Sequence, residues 1–222
     1  MTSFLFSSIG KKFIISLSGL FLLVFLAFHL ALNLTAIFSR EYYEAVCEFM
    51  DTNWLIKIMV PVLALGFIVH IIFATYFEFK NKTARPITMR YEVATQTKGV
   101  SWASKNMFVL GVIVLGFLGM HFFHFWSKMQ LQGFLGKEEA NAYDLVKELF
   151  SDSKYCAVYI VWILAITYHV LHGFWSAFQS LGASNSLWIP RLQFLAKIYA
   201  AVIFLGYVSI PICFYFGICG NK

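Results

Sequence analysis

Charge is scarce in this sequence. Asp, Glu, Lys and Arg make up 13% of its 222 residues, against 60% hydrophobic ones, whereas a soluble domain carries roughly a quarter charged side chains. From Tyr155 to Pro190 there is none at all. Cysteine is sparse too: there are four, none in a CxxC or CxxCH spacing, which disfavours iron–sulfur ligation and covalent haem attachment. The apolar runs do not alternate with polar residues, so a closed β-barrel is excluded. No interleaved basic and aromatic pattern of a nucleic-acid reader occurs, so nucleic acid is not expected as a partner. The net charge of +6 then belongs to a rim facing lipid headgroups or a soluble protein.

Long uncharged runs are what the sequence does have. They occupy 13–39, 58–77, 106–127, 155–190 and 198–221, and each reaches the roughly 20 residues that a helix needs to cross hydrocarbon. The first follows Lys11 and Lys12 but continues for 27 residues, past the ~7–15 of a secretory signal, and reads as a retained helix. The expected fold is all-α: one integral membrane domain over 1–222, with five transmembrane helices at about 13–38, 56–79, 103–127, 155–181 and 193–217. Lys and Arg accumulate on the cytoplasmic side. A cytoplasmic N-terminus gives that side Lys11, Lys12, Lys80, Lys82, Arg85, Arg90, Lys98, Lys105, Arg191 and Lys197, and leaves the outer side Glu41, Glu44, Glu48, Asp51, Glu138, Glu139 and Asp144. The connection 78–105, with Pro86 and the polar TQTKG, is expected to be irregular. In 137–150, Tyr143, Leu145, Val146, Leu149 and Phe150 share one helical face, so a short surface helix is expected there.

All six histidines lie in these apolar runs: His29, His70, His121, His124, His169 and His172. An ionisable ring at such depth is a functional candidate unless a local partner explains it. Successive helices run in opposite directions, so histidines past each midpoint fall at two depths, His29 with His121 toward the outside and His70 with His172 toward the cytoplasm. Two imidazoles at each of two levels is what a bundle needs to clamp two six-coordinate haems. Gly66, one turn before His70, and Gly173, next to His172, are read as room for a flat macrocycle. Hydrogen-bonded core histidines are the ordinary alternative. His124 and His169 are read as surplus, and two His-x-x-His pairs also suit zinc or copper, so a histidine-lined transition-metal transporter stays open, as does a stand-alone membrane quinol oxidoreductase.

SGLFLLVFLAFH (18–29), GFIVH (66–70), WASKNMFVLGVIVLGFLGMHFFHFW (102–126) and HVLHGFWSAFQSLG (169–182) carry a resemblance over nearly the whole chain. In the first and third, a histidine follows a glycine by ten residues. The chain resembles the five-helix dihaem cytochrome b anchor of succinate:quinone oxidoreductases and quinol:fumarate reductases, of the type common in Bacteroidetes and Epsilonproteobacteria. The resemblance implies two haem b groups with iron held axially by His29 and His121 (distal) and by His70 and His172 (proximal). It also implies an inner (cytoplasmic) membrane location, an iron–sulfur subunit and an FAD-containing flavoprotein subunit as partners, and room for a dimer of the whole complex. Electrons would pass between a quinone, menaquinone by this subtype, and the iron–sulfur subunit, with the dicarboxylate site in another subunit. Some members carry a glutamate two residues before the fourth ligand, where this chain has Val170. A quinone site near the outer haem is expected to use Asn33, with Glu44 and Glu48 in the loop that follows the first helix.

Overall fold

The computed structural model describes residues 7–83 and 102–219. Among these there is no strand, and the chain is a bundle of helices. We number them α1 (Ser8–Phe38), α2 (Arg40–Thr52), α3 (Trp54–Thr83), α4 (Trp102–Lys105), α5 (Met107–His121), α6 (Gln130–Phe134), α7 (Ala142–Ser151), α8 (Ser153–Ser180) and α9 (Trp188–Tyr215). After α5 the chain continues as a π-helical segment, Phe122–Trp126. Five stretches are long and apolar enough to cross a membrane: Ile9–Phe38, Trp54–Lys80, Met107–Trp126, Ser153–Ser180 and Trp188–Tyr215. The class expected from the sequence is therefore the class observed. Of the connection expected to be irregular, 84–101 lies outside the described residues, and α3 runs on to Thr83.

Polar side chains set the helix starts. The Ser7 hydroxyl accepts the Gly10 N–H at 3.0 Å, the Asn141 carbonyl the Asp144 N–H at 3.1 Å, and the Asp152 carboxylate the Lys154 N–H at 2.8 Å, each satisfying an amide that has no partner in the first turn. Ser180 ends α8, and Gly182 follows at φ +107°, a left-handed conformation open to glycine without strain. Asn185 then accepts from the amides of Leu187 (3.1 Å) and Trp188 (2.8 Å) and starts α9. Pro190 falls in the first turn of α9, where its missing N–H is no loss.

The long helices α1, α8 and α9 form the middle of the bundle, and α3 packs chiefly against α1. Close approach of α1 and α9 rests on Gly206: a Cβ there would lie 2.7 Å from a methyl of Leu30, which is itself 4% exposed. Two tyrosines tie the same helices together. Tyr199 donates to the Leu23 carbonyl at 2.6 Å, and Tyr207 to the Leu26 carbonyl at 2.9 Å. Both hydroxyls thereby find acceptors inside an apolar bundle, where an unpaired polar group is costly. Gly206→Ala should overpack this contact, at a typical cost of about 1–3 kcal/mol. A lowered midpoint in thermal unfolding of the detergent-solubilised protein would register it, and an unchanged midpoint would count against the close approach.

One end of the bundle is closed by two amphipathic helices, α2 and α7. The expected surface helix in 137–150 is α7, and it buries Tyr143, Leu145, Val146 and Phe150. The segment read from the sequence as a loop carrying Glu44 and Glu48 is instead the helix α2. Ser39 caps it, accepting from the Tyr42 N–H at 3.3 Å, and Tyr43 is its buried residue. Arg40 joins the two helices, 2.8 Å from Glu44 and 2.9 Å from Asp144, and Asn141 donates to Glu44 at 2.8 Å. The two carboxylates raise the Arg40 guanidinium above its usual range. Beneath this clasp, Tyr43, Tyr143, Val146, Phe150, Tyr159, Trp162 and Phe214 share one core with Cys213 and Cys219, which form a disulfide.

Candidate haem-binding site

Four imidazoles from four helices meet in two pairs. The rings of His29 (α1) and His121 (α5) are 5.9 Å apart, with their planes at 89°. The rings of His70 (α3) and His169 (α8) are 6.4 Å apart at 76°. Two imidazoles held on opposite faces of one metal have ring centres roughly 6 Å apart, given a metal–nitrogen bond of about 2 Å at each side. Both pairs have that spacing before any group is placed between them. The first pair is the distal pair expected from the sequence. In the second, the structure sets His169 across from His70, while the ring of His172, one turn further on, lies edge-on against Trp175 at 5.0 Å.

Two glycines explain the ten-residue spacing seen in the sequence. Ten residues of helix rise about 15 Å, so Gly19 lies one level away from His29 on α1, and Gly111 one level away from His121 on α5. Each glycine faces the other pair. A Cβ on Gly19 would sit 3.4 Å from His70, and one on Gly111 would sit 3.5 Å from His169. The wall at the His70–His169 level is thus kept bare from both sides. Of the glycines singled out from the sequence, Gly66 does something else, since a Cβ there would meet the ring of Phe21 at 2.8 Å, whereas Gly173 faces open space, in keeping with the room read from the sequence.

The surroundings are apolar and aromatic. Phe25 stacks on His29 at 5.3 Å, Tyr207 lies 6.2 Å from it, and His121 packs against Phe125 at 5.0 Å and Trp162 at 5.5 Å. In this setting the Nδ1 atoms of His121, His169 and His172 are buried without a hydrogen-bond partner. Such surroundings suit a planar apolar macrocycle carrying a metal, which uses imidazoles as ligands and aromatics as packing. No three His, Cys, Asp or Glu side chains converge as a metal site among the described residues. The donor set is therefore pairwise, which suits axial ligation and not a tetrahedral ion site. The residues fit haem.

His124 is a different case, because it has a local partner. Its Nδ1 is 3.0 Å from the hydroxyl of Tyr159, with the rings stacked. Asn33 is placed beside His29 as expected: its amide donates to the His29 carbonyl at 2.8 Å and lies 3.4 Å from both ring nitrogens. Tyr43, which the sequence reading missed, donates to the Asn33 carbonyl at 3.4 Å. Burial raises its phenol well above the usual range, and burial likewise pushes the neighbouring Cys47 thiol up to about 11. Glu44 is engaged in the clasp, and Glu48 is exposed on α2. An amphipathic pattern after Ser39, with Tyr42, Tyr43, Val46 and Cys47 between acids, is the signal from which α2 and Tyr43 were readable.

No protein-family model matches the chain, and no solved structure matches it. Over nearly its whole length the chain is similar to the succinate dehydrogenase cytochrome b558 subunit of Bacillus subtilis (strain 168), with 26% identity over 200 residues that span 87% of this chain and 89% of the relative.

Proposed function

We propose that this chain is the dihaem cytochrome b anchor of a succinate:quinone oxidoreductase or quinol:fumarate reductase, passing electrons between a membrane quinone and an iron–sulfur subunit. The observation that carries the reading is the pairing of four imidazoles from four helices at two levels, each with the ring separation of an axial pair. Similarity to a succinate dehydrogenase cytochrome b subunit supports it. Bound haem supplies one-electron carriage, and the chain's own residues supply everything else.

His29 and His121 hold the outer group. His70 holds the inner one, with His169 as the partner that ring placement favours over His172, the residue expected from the sequence. Gly19 and Gly111 keep the inner wall open, while Phe25, Phe125 and Trp162 exclude water from the outer level. Quinone, menaquinone by the family resemblance, is placed beside the outer level, where Asn33 and Tyr43 present an amide and a phenol under the α2–α7 clasp. Glu44 acts on it through the clasp. The N-terminus is cytoplasmic in this reading, so the iron–sulfur and flavoprotein subunits dock at the end carrying Lys11, Lys12 and Lys80. Lys82, Arg85, Arg90 and Lys98 would add to that face but lie at or beyond the limits of the described side chains.

Proton movement through a carboxylate on α8 has no support in this chain. Val170 precedes His172 by two residues, and Thr167 precedes His169 by two, with its hydroxyl donating to the Ile163 carbonyl at 2.7 Å. Neither position is acidic. The function is tested by purifying the tagged chain from its native membrane. An iron–sulfur subunit and a flavoprotein should come with it, together with the sharp reduced bands of low-spin haem b. A colourless chain isolated alone would contradict the proposal.

A further inference from the structure

Ser18 is buried on α1 beside Gly19, 8% exposed. Its hydroxyl donates to the Ile15 carbonyl at 3.0 Å, and its oxygen lies 3.4 Å from Nδ1 of His70. A serine hydroxyl has one hydrogen to give. Because Ile15 receives it, the contact with His70 runs in one direction only: Nδ1–H donates and the Ser18 oxygen accepts. A neutral imidazole protonated at Nδ1 carries its lone pair on Nε2. The edge of the ring that rests on α1 is the Nδ1–Cε1 edge, as its approach to Gly19 shows.

The other imidazoles of the two facing pairs lack this arrangement. Nδ1 of His121 and of His169 has no partner, and the ring of His29 faces an amide nitrogen of Asn33, which is a donor and not an acceptor. An acceptor on the far nitrogen of a ligating histidine fixes its tautomer and orientation and raises its basicity. We infer that Ser18 is a positioning residue for the inner haem, holding His70 as the Nδ1–H tautomer with Nε2 presented to iron and making it the most strongly donating of the four ligands. This inference rests on the dihaem reading. A more basic axial ligand favours ferric over ferrous iron, so Ser18 lowers the midpoint potential of the inner haem relative to what the same pair would give without it.

The test is a redox titration, followed optically and by electron paramagnetic resonance, of the intact complex carrying Ser18→Ala, Ser18→Thr or His70→Ala. Alanine leaves the Ile15 carbonyl, which also borders the His70 ring, so a shift is expected in place of a loss. In Ser18→Ala the potential of one haem should rise while that of the other stays, with haem content unchanged. Ser18→Thr, which keeps the hydroxyl, should restore the potential. Loss of one haem in the alanine variant, recovered in the threonine variant, would support the same role. The inference is overturned if neither potential moves in Ser18→Ala, if both move together, or if threonine fails to restore the change. His70→Ala separates this from the reading beneath it: if that variant keeps both haems, the dihaem assignment fails and not merely the role of Ser18.

Discussion

His169→Ala should cut the haem content of the purified protein from about two per chain to about one, while His172→Ala should leave both groups in place. An alanine has nothing to offer iron, and an open axial position either releases the group or converts it to a high-spin form. The ring of His169 stands 6.4 Å from that of His70, whereas His172 is turned onto Trp175. His29→Ala and His121→Ala should each remove the other group and spare the inner one. His124→Ala should remove neither, since its imidazole is already satisfied by Tyr159. Pyridine haemochrome content and the low-spin signals of each variant check the set. A normal spectrum in His169→Ala with a lost haem in His172→Ala would restore the pairing expected from the sequence.

That pair of histidines marks where reading the sequence stops. The count of spans was legible from run length, and opposite helix directions with a rise of about 1.5 Å per residue brought His29, His70 and His121 forward as candidates. Residues 169 and 172 are three apart, so their side chains leave the helix only about 60° from each other, and both point to the same side of α8. Which one meets His70 depends on how α8 turns against α3, which no local pattern encodes. Gly19 and Gly111 were visible as a spacing, yet their meaning lies across the bundle, beside histidines of other helices. The helix α2 was missed for another reason: thirteen residues rich in acid between two long apolar runs look like a connector unless their amphipathic pattern is examined by itself.

Filling the bare wall should be nearly as damaging as removing a ligand. In Gly19→Leu and Gly111→Leu the new side chain enters the space beside His70 or His169, where even a Cβ stands within 3.4 or 3.5 Å of the imidazole. The ring must move or the macrocycle must leave. Each variant should lose one haem of the two, and the one lost should be the group ligated by His70, although Gly111 shares its helix with His121, a ligand of the other. This crossing is specific to the arrangement. Gly116→Leu serves as the control, because nothing lies within 4 Å of that position, and it should keep both haems and normal yield. Loss of the outer haem in Gly111→Leu, or equal loss in the Gly116 control, would mean that these glycines act through helix packing and not as the wall of the inner site.

Two clamped levels in one chain is the statement on which everything else rests, and haem stoichiometry reaches it without any mutation. Purified chain, quantified by amino-acid analysis, is assayed for pyridine haemochrome and titrated with a reductant. The expected result is about two haem b per polypeptide, both low-spin with two axial nitrogen ligands, titrating at two separate potentials. A content of about one haem, or a single potential accounting for all of it, would contradict the two-level site, and a content near zero would return the four facing imidazoles to the status of core side chains.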